Sequence, residues 1–215
     1  DSDDLLSELK KKVADSKAVC IKKANALSEL RKKAAKETEK EMKARLMPLG
    51  MPNVRFIVDI KDKELSNNGK DNVVFLFSAN KSTDPQPVSE VASGGEIARV
   101  MLSLKALISG VAGLPTIIFD EIDTGVSGAI ASKMAQVMKE MADAGQQVIS
   151  ITHLPQIAAE GVAHYKVEKS ETSKGTTSQM RRLTEEQRVR EIAGMLSGDN
   201  ITEAALQNAR ELLNC

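Results

Sequence analysis

The sequence predicts an α/β fold: a parallel sheet with flanking helices, an antiparallel hairpin, and a long helix at the N-terminus. Three observations carry this expectation. Short β-prone runs at residues 116–119 and 147–151 alternate with helix-periodic segments, the pattern of parallel strands joined by crossover helices. Two further β-prone runs, 54–60 and 73–78, flank a polar stretch containing Asn and Gly, the pattern of a hairpin. Residues 3–47 hold neither Gly nor Pro and are dense in Lys, Glu and Ala, as a long solvated helix requires.

On that first helix Leu6, Leu9, Val13, Cys20, Leu27, Leu30, Ala34 and Ala44 fall on one heptad seam, weakened by Ser16, Lys23, Glu37 and Glu41 at the same positions. A narrow, long stripe of this kind needs a partner helix, so residues 1–47 read as a coiled-coil arm in preference to an ordinary amphipathic helix lying against the domain, and 48–215 as the domain that follows. Pro48, Gly50 and Pro52 stop the helix. The hairpin comes next, with 61–72 as its polar connection, and Asp84-Pro85-Gln86-Pro87 reads as a rigid loop.

Ser93 then precedes Gly94 and Gly95, and Ile97, Met101, Leu104, Leu107 and Ile108 mark an amphipathic helix whose N-terminus sits at those glycines. The run 116–119 reads as a buried strand with Asp120 and Glu121 at its C-terminal end. After the turn at 123–128, Ile130, Met134, Val137 and Met141 mark the next helix; Gly145 ends it, and 147–151 returns as a strand. The runs 162–168 and 176–183 suggest a meander at the sheet edge. Thr184-Glu185-Glu186-Gln187 is a capping box opening a helix through Met195, and a last helix is expected over 202–213.

Composition narrows the function. At 215 residues the chain can bury a real core. Aromatic residues make up only 2% and Trp is absent, which argues against a base-stacking platform for single-stranded nucleic acid. Formal charge balances at zero, so any basic surface is local. Cys20 and Cys215 match no metal-ligand spacing and read as reduced thiols of a soluble cytoplasmic protein. No apolar run reaches membrane-spanning length, so no membrane partner is expected. The start at Asp1 without Met suggests a segment of a longer chain.

The chemistry gathers at three places. Glycines directly after a serine let the backbone approach a bulky anion, and a helix N-terminus there presents unpaired N–H groups and partial positive charge, which suits phosphate. Two adjacent carboxylates at a strand end suit phosphoryl transfer, Asp120 holding hydrated Mg²⁺ and Glu121 orienting or deprotonating the attacking water. His153 follows the second strand, so in a parallel sheet it emerges at the same edge, able to hydrogen-bond a γ-phosphate or that water. His164 lacks such a setting and reads as structural.

Ser93-Gly94-Gly95-Glu96 with Arg99, the Phe119-Asp120-Glu121 carboxylates, the turn from Asp123 to Gly128 and Thr152-His153-Leu154-Pro155-Gln156 together resemble an ABC-type ATPase head. The closer resemblance is to the RecN DNA-repair family, a relative of SMC proteins, carried by SGGEIARVMLSLKAL, IIFDEIDTGVSG, ITHLPQIAA and HYKVEK over most of the chain after about Met47. It implies the C-terminal lobe of an ABC-type head, with the long helix as the returning arm of the coiled coil. Ser93, Gly94, Gly95 and Glu96 would then form the signature turn that meets the γ-phosphate of ATP bound in the opposite subunit. Asp120 would organise Mg²⁺, Glu121 would be the catalytic carboxylate, Asp123 would belong to the loop crossing the dimer interface, and His153 would be the switch histidine.

No G-x-x-x-x-G-K-[ST] motif occurs, Gly69-Lys70 being followed by Asp71, so the cradle that holds ATP in cis is missing. The implied partners are therefore an N-terminal Walker A lobe of the same protein, a second head in a homodimer, and DNA at the nucleoid. The chain alone should hydrolyse little ATP. An SMC-like chromosome-organising or end-processing ATPase and a non-catalytic coiled-coil scaffold are the competing readings. The basic clusters Lys10-Lys11-Lys12, Lys22-Lys23 and Arg31-Lys32-Lys33 alternate with acids and read as a solvated face.

Overall fold

The computed structural model describes residues 2–91, 93–172, 175–198 and 200–214. Ala92, ahead of the serine-glycine turn, and Cys215 lie outside them, whereas Cys20 is a free, exposed thiol. Two compact units divide the chain: residues 1–47 with 51–92, and residues 48–50 with 93–215. The hairpin thus groups with the long helix, a different partition from arm and domain meeting at residue 47.

In the first unit α1 (Ser2–Leu46) runs for 45 residues, about 67 Å, with Asp3 and Asp4 in its first turn and Lys43 and Arg45 in its last, both matched to the helix dipole. It carries two stripes. Ala24, Ser28, Ala35, Met42 and Leu46 are buried, against β1 (Arg55–Ser66) and β2 (Gly69–Ser78). The heptad seam lies one residue, about 100°, around the helix. Its Leu6, Leu9, Val13 and Leu30 are exposed.

The antiparallel β1–β2 ladder runs from Arg55↔Ser78 to Ser66↔Gly69, with an irregularity between Asp62 and Ser66. The strands therefore continue through most of the stretch expected to be a connection, leaving a turn at residues 67–68. Polar side chains, most of them exposed and Asp71 buried, hide the strand pattern there, while the backbone ladder is indifferent to them. Gln86–Pro87 was expected to be loop but pairs with Leu76 and Phe77 as a short β3.

One buried polar clasp ties helix to hairpin. Ser28 Oγ donates to Asp71 Oδ1 (2.7 Å), Arg31 Nη1 donates to Oδ2 (3.0 Å), and Arg31 Nη2 donates to the Asn68 carbonyl (2.9 Å). The Ser28 hydrogen bond, with the Arg31 charge beside it, holds the Asp71 carboxyl below its ordinary range although burial acts the other way.

The second unit is built on a βαβ crossover. Strand β4 (Thr116–Asp120) leads through α3 (Gly128–Asp143) to β5 (Gln147–Ile151), and the strands pair in parallel from Thr116↔Gln147 to Asp120↔Ile151. Ile117 and Phe119 pack with Ala131, Met134, Ala135, Met138 and Met141 of α3 and with Leu49. The strands expected to be fully buried are covered on one face only: Ile118, Ile149 and Ile151 on the other are 55%, 41% and 51% exposed.

Helix α2 (Gly94–Ala112) buries Val100, Leu102, Ser103 and Leu104, so of the expected stripe Leu104 is buried while Met101 and Ile108 face outward. Apolar residues on both sides of this helix left its inner face ambiguous. A six-residue helix absent from the sequence expectation, α4 (Pro155–Glu160), follows β5. The expected edge meander is instead a separate two-stranded sheet of β6 (Tyr165–Thr172) and β7 (Gly175–Arg182). The capping box at Thr184 and Gln187 opens α5 (Glu185–Ser197), and Thr202 caps α6 (Glu203–Leu213). These helices share a small core of Ile192, Ala193, Ala205 and Ala209 with Ala159 of α4.

The Asp71 clasp sets an acid limit on the first unit. Its carboxyl protonates at lower pH folded than unfolded, so its contribution is complete above the unfolded value and fades as pH falls through the folded one. Asp71→Asn should lower the melting temperature at pH 7 and flatten its fall below about pH 4, measured by circular dichroism across pH.

Candidate functional site

Every residue of interest lies at the C-terminal edge of the β4–β5 pair or on the helix start packed beside it. The parallel register places the ends of both strands side by side, and the Glu121 N–H extends the ladder by donating to the Ile151 carbonyl (3.1 Å). Asp120 and Glu121 are exposed there, as is His153 two residues beyond Ile151. The expected convergence of carboxylates and histidine at one edge is what the backbone produces.

Glu121 turns the chain with φ of +46°, in the left-handed region that a non-glycine residue enters at a cost. Thr124 Oγ1 donates to its carbonyl (3.0 Å) and helps hold that turn. Backbone strain of this kind concentrates where a side chain must be aimed.

Asp123 is the buried member of the group, 1% exposed. Its Oδ2 accepts from Thr152 Oγ1, which in turn accepts from the Leu154 N–H (3.0 Å). This chain of bonds joins the loop after β4 to the loop after β5. His153 Nδ1 stands 3.6 Å from Asp123 Oδ1.

The serine-glycine turn abuts the same loop. A Cβ placed on Gly95 would stand 3.3 Å from the Thr124 carbonyl oxygen and 3.4 Å from that of Gly125, whereas one on Gly94 would meet nothing within 4 Å. Ser93 caps α2, its Oγ accepting weakly from the Glu96 N–H (3.4 Å). Helix geometry leaves the N–H groups of Gly94 and Gly95 without intrahelical acceptors. Arg99 braces the turn from behind, Nε donating to the Gly95 carbonyl (2.9 Å) and Nη1 to that of Leu49 (2.7 Å).

The structure thus brings the turn at Ser93–Glu96, the Asp120–Asp123 loop and His153 into one contiguous group. Sequence reasoning missed Thr152, whose hydroxyl links the loops; Thr directly before a histidine at a strand end was the available signal. His164 packs elsewhere, Nε2 on the Ala158 carbonyl, and burial lowers its pKa.

Sequence comparison shows the family. The DNA repair protein RecN of Haemophilus influenzae is 35% identical over 216 residues, covering 100% of this chain and 38% of that protein. RecN of Deinococcus radiodurans is 42% identical over 197 residues, 91% of this chain and 34% of its own length. The chain belongs to the RecN family. It spans about two fifths of the length of the curated relatives it matches. No protein-family profile matches it.

Solved structures agree on the fold. The Smc head domain with a coiled coil and joint from Pyrococcus yayanosii superposes with a TM-score of 0.60 at 21% identity, covering 88% of this chain and 35% of that one. A chain from work on ATP-driven dimerisation and DNA-stimulated activation of SMC ATPases gives 0.54 at 18%, covering 80% and 99%. The RecN-family chain therefore has the α/β fold of SMC-type ATPase heads.

Two stability measurements test the local geometry. Gly95→Ala should lower the melting temperature of this chain, because the new methyl meets backbone carbonyls that cannot swing aside, while Gly94→Ala should leave it unchanged or raise it. Glu121→Gly should stabilise by about 1 kcal/mol in urea titrations by relieving the left-handed turn; a loss of stability would show that the turn carries no strain.

Proposed function

We propose that this RecN-family chain is the lobe of an ATPase head that contributes the signature turn, the carboxylate pair and the histidine, and that two complete heads close around ATP to act on DNA in double-strand-break repair and recombination. The observation carrying this reading is the convergence just described. Two strand-end carboxylates and an exposed imidazole share one edge, held in place by the parallel register, and a phosphate-seeking helix start abuts the loop that follows the carboxylates.

The open sheet supports a missing neighbour. Parallel strands are ordinarily covered on both faces, yet Ile118, Ile149 and Ile151 face solvent and, among the described residues, no third strand pairs with β4 or β5. An N-terminal lobe bearing the Walker A cradle would cover that face and supply the lysine absent here. The open heptad seam of α1 suits the second helix of a coiled-coil arm.

The residues present fit ATP and Mg²⁺. The free N–H groups of Gly94 and Gly95 with Ser93 Oγ form a donor set for a terminal phosphate carried by the second copy, and Glu96 and Asp123 belong to the turn and loop that frame it. Among the described residues no cluster of three or more His, Cys, Asp or Glu could hold a metal on its own, so Asp120 would hold Mg²⁺ together with phosphate oxygens and water. When bound, Mg²⁺ neutralises charge on the phosphates. Glu121 takes a proton from the attacking water, and His153 presents an imidazole nitrogen toward the nucleotide. Among the described residues no helix is long and apolar enough to cross a membrane, and a cytoplasmic, nucleoid-associated setting is part of this proposal.

The test is Glu121→Gln in the full-length protein. Turnover should fall by about a hundredfold or more while ATP binding and ATP-induced dimerisation survive in sedimentation runs. Unchanged turnover would remove Glu121 from the reaction and the proposal with it.

A further inference from the structure

We propose that Asp123 is the positioning residue for His153: its buried Oδ1 receives the imidazole Nδ1–H, so that Nε2 is the nitrogen presented to the nucleotide. The inference rests on the ATPase reading for its consequence, but its geometry stands without it.

The carboxylate is 1% exposed, and of its two oxygens only Oδ2 is satisfied, by Thr152 Oγ1. Oδ1 is buried without a hydrogen-bond partner among the described residues. A buried carboxylate oxygen left unpaired is costly, and such exceptions call for an occupant. The donor within reach is His153 Nδ1 at 3.6 Å, beyond a formed hydrogen bond but within a displacement of about 1 Å of an exposed ring.

The surroundings make the site specific. Thr152 hydroxyl and the Leu154 N–H fix the residues on both sides of His153, so the loop is anchored while the ring, 64% exposed at its side chain, is free to turn. Closure onto Oδ1 would end that freedom. A carboxylate on one imidazole nitrogen selects the tautomer and aims the other nitrogen, the same logic that orients metal-bound and triad histidines. The loop carrying Asp123 frames the phosphate, but the buried Asp123 carboxylate itself acts through the ring.

This chain holds two histidines, His153 and His164, so its ¹⁵N-histidine spectrum can be assigned by His153→Ala alone. In the wild-type chain, without nucleotide, neutral His153 should carry its proton on Nδ1, and Asp123→Asn should shift it toward the Nε2–H form. A wild-type His153 already in the Nε2–H form, or one unchanged by the substitution, overturns the assignment; the wild-type spectrum decides even if the variant does not fold. In the full-length protein Asp123→Asn should lower kcat about ten- to a hundredfold at unchanged KM for ATP, and cost nothing further on a His153→Ala background. Equal losses on both backgrounds would show Asp123 acting on something other than the ring. Absence of ATP turnover in the wild type would defeat the proposed function and leave the spectral result to judge Asp123.

Discussion

Five consecutive parallel pairings between β4 and β5 govern where everything else in the second unit lies. Had either strand slipped by one residue, Ile117 and Phe119 would leave the core for the open face, and the loops beyond would part company. The core formed with α3 specifies the register, because Ile117 and Phe119 pack there against methionines and alanines at helical spacing. Catalytic candidates on loops are thus placed by hydrophobic residues that have no chemistry of their own.

The first unit solves a different problem. A helix of 45 residues cannot be held by a two-strand platform along its whole length, and only its second half is buried. A buried carboxylate, satisfied by a hydroxyl and a guanidinium, joins helix to hairpin, and Met42 and Leu46 of the helix and Phe56 and Phe77 of the strands are buried. The remainder projects with its leucines uncovered.

What was legible in the sequence was whatever depended on local pattern. The long helix, both parallel strands, the capping box at Thr184 and the helix start at Gly94 follow from periodicity and capping chemistry. Less legible was whatever depended on distant partners. Lys61, Asp62 and Ser66 carry no burial signal yet pair with β2, because pairing needs only backbone. The short helix α4 went unread, although Pro155 is its first residue, where a missing N–H is no loss. Of the site, the residue types and their common edge could be read. The burial of Asp123 and the left-handed turn at Glu121 could not, since aspartate is mostly exposed and glutamate has no preference for positive φ.

The close fit at Gly95 has a mechanical implication. With two carbonyl oxygens 3.3 and 3.4 Å from where a side chain would begin, the start of α2 and the loop after β4 are in close contact, and a tilt of one opens a void or pushes the other. A load applied to the glycine turn is therefore delivered to the peptide units flanking the acidic pair. The helix and the loop form a lever with its fulcrum at a missing methyl group.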